Sequence, residues 1–259
     1  MHSPPVVPKV EVECVKLSKD KVCEHTHSNV VLDLPVSLYI NNRYFTTFFA
    51  IPSELEEMAI GFVLSEGLSK HMNDIASIEI KNTAIYVNLK GEVDYNKYRK
   101  IARYASCNSL TSYLETIGTP RVTSSYNVTI NQIYDIIREM GRLSAQYRGT
   151  LAIHIAAIFE NCKVRCIACD VNRHVTVDKV IGKAIRERVD FSRAILVTTG
   201  RQAADMIIKA GRMGIPITIS LRGPLYSGIY VALKLGITII ALTRGKGLVV
   251  YTHPERIKC

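Results

Sequence analysis

The chain has no run of about 18 apolar residues, so no membrane-crossing helix is expected. Its opening residues, MHSPPVVPKVEVEC, lack a charged-then-apolar pattern, so secretion is not expected either. There is no internal repeat and no low-complexity tract. The cysteines do not form an even set: Cys14, Cys23, Cys107, Cys162, Cys166, Cys169 and Cys259 make seven. An odd number without a secretory signal argues against a disulfide framework and for a reducing cytoplasm, where most thiols are small apolar fillers. Acidic residues are the scarcer charge, 23 Asp and Glu against 33 Lys and Arg, and the net charge is +10. That imbalance favours anionic partners: nucleic acid, phosphorylated ligands or an acidic protein surface. No basic helix interleaved with aromatics accompanies it, which puts nucleic acid last among them.

What is present is enough for a sizeable core. The chain has 259 residues, 47% of them hydrophobic and 22% charged, which suits one large domain or two modest ones. Residues 1–30 read as an arm and a loop. VSLYINNRYFTTFFA (36–50) holds two β-rich runs around Asn41-Asn42, a hairpin signal. Ser53 with Glu56 reads as a capping box for a helix with Leu55, Ala59, Phe62 and Val63 on one face and Gly67 as its stop. IASIEI and AIYVNL (75–80 and 84–89) read as paired strands. A loop over about 104–128 follows. Thr129 with Gln132 then caps a helix striped by Ile133, Ile136, Ile137, Met140 and Leu143. LAIHIAAIF (151–159) reads as a short apolar helix and CKVRCIAC (162–169) as a strand. Helices over 174–189, 201–214 and 225–236 alternate with strands over 194–199, 215–221 and 237–243, and LVVY (248–251) adds a last strand. This alternation predicts an α/β layer structure with a largely parallel sheet.

Ligands of open α/β sheets bind beyond the carboxyl ends of the strands. Three such ends carry glycine beside a cation: Thr199-Gly200-Arg201, Arg222-Gly223-Pro224 and Arg244-Gly245-Lys246-Gly247. Glycine admits a phosphate close to the backbone, and helix N-termini follow the first two loops. A single such loop is common by chance; three on one edge suggest a phosphate-rich or nucleotide-like ligand. Asp170-Val171-Asn172-Arg173-His174 is a polar cluster at another strand-to-helix junction. His174 could serve an anion or a proton there, with Asp178 one turn on to orient it; equally, Asp170 could cap the helix and His174 lie on the surface. His154, in the apolar segment, reads first as a hydrogen-bonded core residue. Cys166-x-x-Cys169 lacks a second pair at zinc spacing, and an odd offset on a strand turns the two thiols to opposite faces, so packing is favoured. Cys107 stands among small polar residues in YASCNSLTSY (104–113), with Arg99, Lys100, Arg103 and Arg121 nearby in sequence. A thiol becomes a useful nucleophile when it is exposed near positive charge, but on composition alone Cys107 reads first as a spectator in a polar loop.

Several stretches resemble the FdhD family, the formate dehydrogenase accessory sulfurtransferases. They are IPSELEEMAIGFVLSEGL (51–68), Ser106-Cys107, Thr150 with His154-Ile155-Ala156-Ala157, DVNRHVTVDKVIG (170–182), TGR (199–201), GIP (214–216) and YTHPERI (251–257), in family order. The resemblance implies a cytidine-deaminase-like three-layer α/β/α core over 126–259, with an N-terminal α+β portion and the cysteine loop over 1–125. It implies a cytoplasmic sulfur carrier, expected as a homodimer. Such a carrier takes sulfur from a cysteine desulfurase as a persulfide on Cys107. It passes the sulfur to the molybdenum or tungsten bis(molybdopterin guanine dinucleotide) cofactor for formate dehydrogenase. The segment Leu242, Thr243, Arg244, Gly245, Lys246 and Gly247 matches the family's cofactor-binding stretch, and Thr199, Gly200, Arg201, Arg222, Arg173, His174 and His154 are expected around it. No protein-held metal is implied. Where the family has Cys-Gly-x-Cys, this chain reads Cys107-Asn108-Ser109-Leu110, with one thiol. The alternative is a non-catalytic guanine-nucleotide or cofactor chaperone that has lost sulfur transfer. The deaminase signature is missing its catalytic Glu after His154, so deamination is not expected.

Overall fold

The computed structural model describes residues 7–19, 23–95, 118–147, 152–243 and 247–258. The chain opens with β1 (Lys9–Leu17) and β2 (Cys23–Val31), an antiparallel pair in register from Lys9–Val31 to Leu17–Cys23. This corrects the arm and loop expected over 1–30. Val10, Val12 and the polar residues between them already alternate with the period of two that makes a strand.

A four-stranded sheet follows, built from β3 (Leu34–Ile40), β4 (Arg43–Ala50), β5 (Ile75–Lys81) and β6 (Ala84–Leu89) in the order β4-β3-β6-β5. Asn41 and Asn42 both have positive φ, 48° and 60°, as a two-residue type I′ hairpin turn requires. Between β4 and β5 lies α1 (Leu55–Ser65). The capping box expected from Ser53 and Glu56 is not formed. Glu54 is the N-cap, left-handed at φ 55° and without a side-chain cap bond, and its carboxylate instead accepts from Lys183 Nζ. Gly67 does end the helix, at φ 73°.

The second half contains β7 (Val128–Thr129), α2 (Ile130–Ala145), β8 (His154–Glu160), β9 (Lys163–Asp170), α3 (Arg173–Arg186), β10 (Ala194–Thr198), α4 (Ala204–Arg212), β11 (Ile217–Ser220), α5 (Tyr226–Leu235), β12 (Thr238–Thr243), β13 (Gly247–Val250) and β14 (Ile257–Lys258). The Thr129–Gln132 capping box at the start of α2 is formed in both directions. Residues 154–160 form a strand, correcting the helix expected over 151–159. The run is apolar on both sides because both of its faces are buried, and periodicity cannot then separate strand from helix. The cue was the Asn161-Cys162 turn, both residues at positive φ, which folds β8 back onto β9.

The six-stranded sheet has the order β13-β12-β11-β10-β8-β9. Only the β10–β11 and β11–β12 pairings are parallel, and β8 and β13 run against the other four strands, so the sheet is mixed rather than largely parallel. Residues alternate between its faces. Ala156, Ile158, Cys166, Ala168 and Leu196 pack under α3, α4 and α5; Ile155, Ala157, Ile167, Cys169 and Val197 pack under α2. This is the three-layer α/β/α core. Cys166 and Cys169 sit on opposite faces, and burial pushes their thiols up to about 12 and about 11, so both are protonated packing groups.

A third cluster joins the four-stranded sheet to this core through α1. Helices α1 and α3 touch backbone to backbone at two glycines. A Cβ on Gly61 would lie 1.8 Å from the Asp178 carbonyl oxygen, and one on Gly182 would lie 1.9 Å from that of Glu57. Buried charges close the seam. Lys179 Nζ donates to Asp170 Oδ2 at 2.7 Å and to the Ile51 carbonyl at 3.0 Å. Lys209 Nζ lies 2.7 Å from both Asp178 Oδ1 and Glu66 Oε1. Burial works against the Lys209 ammonium, but the two carboxylates overcome it and hold its pKa above the ordinary lysine value.

Candidate functional site

Strand direction brings the polar residues together. Because β10, β11 and β12 are parallel, their carboxyl ends share one edge of the sheet. β8 runs against β10 and starts at that edge; β9 runs against β8 and ends there. Thr199-Gly200-Arg201, Leu221-Arg222, His154 and Arg173 therefore converge. They line a cavity of about 710 Å³ with Ala152 and Ile153, and no carboxylate lines it.

Hydroxyls at the strand ends fix the loops. Thr199 Oγ1 accepts from the Ile155 N–H at 2.9 Å, and the Thr199 N–H donates to the Ile155 carbonyl at 2.9 Å. Ser220 Oγ donates to the Gly200 carbonyl at 2.7 Å and accepts from the Arg222 N–H at 2.9 Å. Gly200 is buried where a Cβ would rest 3.4 Å from Arg173 Cβ and 3.8 Å from His154 Nδ1, so a larger side chain would fill the cradle between them. Asp170 anchors the turn that delivers Arg173. Its Oδ1 accepts from the Asn172 N–H at 2.9 Å, while Oδ2 takes Lys179 and the Ile51 N–H. Asn172, not Asp170, is the N-cap of α3, accepting from the His174 N–H at 3.0 Å.

The site is electropositive and short of acceptors. Arg173 Nε is buried and has no hydrogen-bond partner among the described residues. A buried donor left unmet is costly unless a ligand meets it. His154 is half-buried, and burial, with the Arg173 and Arg222 cations beside it, holds its pKa below the ordinary 6.5. It lines the cavity, so the core reading gives way to the site. His174 does not line it. Its Nε2 lies 3.5 Å from Asp205 Oδ2, and Asp178, expected to orient it, is occupied by Lys209 and Ser65. Burial lowers the His174 pKa despite the Asp205 carboxylate. Among the remaining expected residues, Leu242 is exposed on β12, Thr243 ends that strand, and Gly247 opens β13 at φ 72°. Cys107, Arg244, Gly245 and Lys246 lie outside the described residues. Among the described residues, no group of three His, Cys, Asp or Glu side chains is placed to hold a metal ion, and no helix is long and apolar enough to cross a membrane.

A cradle of arginines, an open glycine and two following helix starts is chemistry for an anion with several oxygens. Residues 31–258 match the model of the FdhD/NarQ family. The chain belongs to the FdhD/NarQ family. It is 34% identical over 249 residues to a protein named sulfur carrier protein FdhD from Methanothermobacter thermautotrophicus, covering 95% of this chain and 98% of the relative. It is 26% identical over 262 aligned residues to the protein of the same name from Wolinella succinogenes, covering 99% and 91%. A solved structure described as a formate dehydrogenase accessory protein, from Desulfotalea psychrophila, superimposes with a TM-score of 0.77 at 25% identity, covering 96% of this chain and 99% of that one. The FdhD/NarQ match thus spans both the four-stranded sheet and the three-layer core. Arg173, Arg201 and Arg222, expected from the sequence, line this cavity, whereas its supports were not anticipated: Asp170 with Lys179, the Asn172 cap, the Asp205 partner of His174, and Ser220.

Proposed function

We propose that this chain is a sulfur carrier in the maturation of formate dehydrogenase. Cys107 accepts sulfur from a cysteine desulfurase. Its thiolate attacks the terminal sulfur of the donor's persulfide, a new S–S bond forms, and the donor's cysteine leaves as thiolate. The substrate that receives this sulfur is the molybdenum or tungsten bis(molybdopterin guanine dinucleotide) cofactor. Arg173, Arg201 and Arg222 bind its guanine dinucleotide phosphates, together with Arg244 and Lys246. Neutral His154 accepts or donates one hydrogen bond at the same wall, and Gly200 keeps the approach to the backbone open. The observation that carries the reading is the cavity: cations converge there without a carboxylate, and one guanidinium N–H is buried and unmatched. The names borne by the relatives, sulfur carrier protein and formate dehydrogenase accessory protein, agree with it.

The test is mass spectrometry of the chain after incubation with a cysteine desulfurase and cysteine. A gain of one sulfur on Cys107, absent in Cys107→Ala, is expected. The missing second thiol at Leu110 favours one competitor, a chaperone that binds the cofactor and carries no sulfur. An unmodified Cys107 with intact guanine-nucleotide binding would establish that competitor instead.

A further inference from the structure

The opposite edge of the six-stranded sheet carries a larger cavity that the proposed function does not use. It is a groove of about 870 Å³, lined along one side by the extended run Pro120–Asn127 and along the other by Ser192, Arg193 and the end of α4 at Arg212. Three arginines line it and no carboxylate does. Arg212 is tied to the Ser65 carbonyl and to Glu66. The guanidinium groups of Arg121 and Arg193 have no acceptor among the described residues. Guanidinium forks match the oxygen geometry of phosphates.

The wall is held rather than loose. Ser124 Oγ donates to the Ser192 carbonyl at 2.6 Å and accepts from the Tyr126 N–H at 3.1 Å, while Arg256 Nη2 donates to the Ser124 carbonyl at 3.2 Å. Behind it, Arg256 Nε is buried without a partner. Burial pushes the Arg256 guanidinium below its ordinary range; the Glu255 carboxylate opposes that push and the neighbouring Arg121 cation adds to it. Arg121, Arg193 and Arg212 line the groove with no carboxylate among the lining residues.

We propose that this groove is a second anion site, built for a phosphorylated small molecule and separate from the cavity at the other edge. Arg193 immediately precedes β10 and Thr199 immediately follows it. The six residue steps from Arg193 to Thr199, at about 3.3 Å each, put the two sites about 20 Å apart. One diphosphate cannot occupy both. The inference does not depend on sulfur transfer or on what fills the first cavity.

The experiment is arginine labelling with phenylglyoxal, read by peptide mass mapping, with inorganic pyrophosphate or with chloride at matched ionic strength. Pyrophosphate is expected to slow labelling of Arg121 and Arg193 at least fivefold, and equally so in the Arg201→Ala/Arg222→Ala variant, while exposed Arg138 on α2 is unaffected. Equilibrium dialysis gives the second readout: Arg121→Ala/Arg193→Ala should bind one pyrophosphate per chain fewer than wild type. Both substituted residues are exposed, so folding is expected to survive. Unprotected Arg121 and Arg193, protection that vanishes with Arg201 and Arg222, or an unchanged stoichiometry in Arg121→Ala/Arg193→Ala would each overturn the proposal.

Discussion

The seam under α1 and the cavity at the sheet edge both gather cations and use them in opposite ways. In the seam, Lys179 meets Asp170 and Lys209 meets Asp178 and Glu66, and all of these but the partly exposed Glu66 are buried. At the edge, Arg173, Arg201 and Arg222 gather with no carboxylate among them. Paired buried charge fixes how the two halves of the chain meet. Charge at the open edge meets no carboxylate in the cavity lining. The two are linked through Asp170, which binds Lys179 in the seam with one oxygen and the Asn172 turn at the cavity with the other.

The comparison breaks most visibly at the glycines. Gly61→Ala or Gly182→Ala puts a methyl inside 2 Å of a backbone oxygen, so the helices must separate. The expected cost is at the top of the ~1–3 kcal/mol range for overpacking, or beyond it, read as a lower denaturant midpoint or an insoluble chain. Next comes Lys209→Met, which strands Asp178 and Glu66 in the seam. Removing one partner of a buried pair costs roughly 3–5 kcal/mol, and a urea midpoint unchanged from wild type would show that the seam is not structural.

The cavity should answer differently. Arg201→Ala and Arg222→Ala touch exposed residues and should leave stability within about 0.5 kcal/mol. Each should weaken guanine-nucleotide binding about tenfold or more, since a hydrogen bond to a charged group is worth roughly 1.5–3 kcal/mol. The smallest effect is in pH. His154 titrates below 6.5 in the folded chain, so as pH falls through 6.5 the unfolded chain gains a proton that the folded chain resists. This group therefore removes stability toward acid. A bound phosphate reverses the preference, so nucleotide affinity should rise a few-fold between about pH 8 and about pH 6. His154→Gln should flatten that rise, and an identical profile in the variant would remove His154 from the site.

Much of this was legible in the sequence, for identifiable reasons. Amphipathic α2 showed its stripe and its Thr129–Gln132 cap because one face is solvent and one is core. The Asn41-Asn42 hairpin showed because only a few residues tolerate two left-handed positions. β8 did not show, because burial on both faces erased its alternation. The cavity-lining loops announced themselves through glycine beside arginine. Their supports did not: Asp170 to Lys179 and Ser220 to Gly200 are pairings that only the assembled sheet creates. His174 misled because Asp178 is one turn away in sequence, yet Lys209 and Ser65 claim that carboxylate in space.

The central claim is that the edge cations are unpaired in order to hold a phosphate-bearing cargo. Calorimetric titration of guanosine diphosphate at one fixed salt concentration tests it most directly. The account predicts saturable binding to wild type and to Cys107→Ala, and at least a hundredfold loss in Arg201→Ala/Arg222→Ala with an unchanged melting temperature. Equal binding by the wild type and the double variant would contradict it.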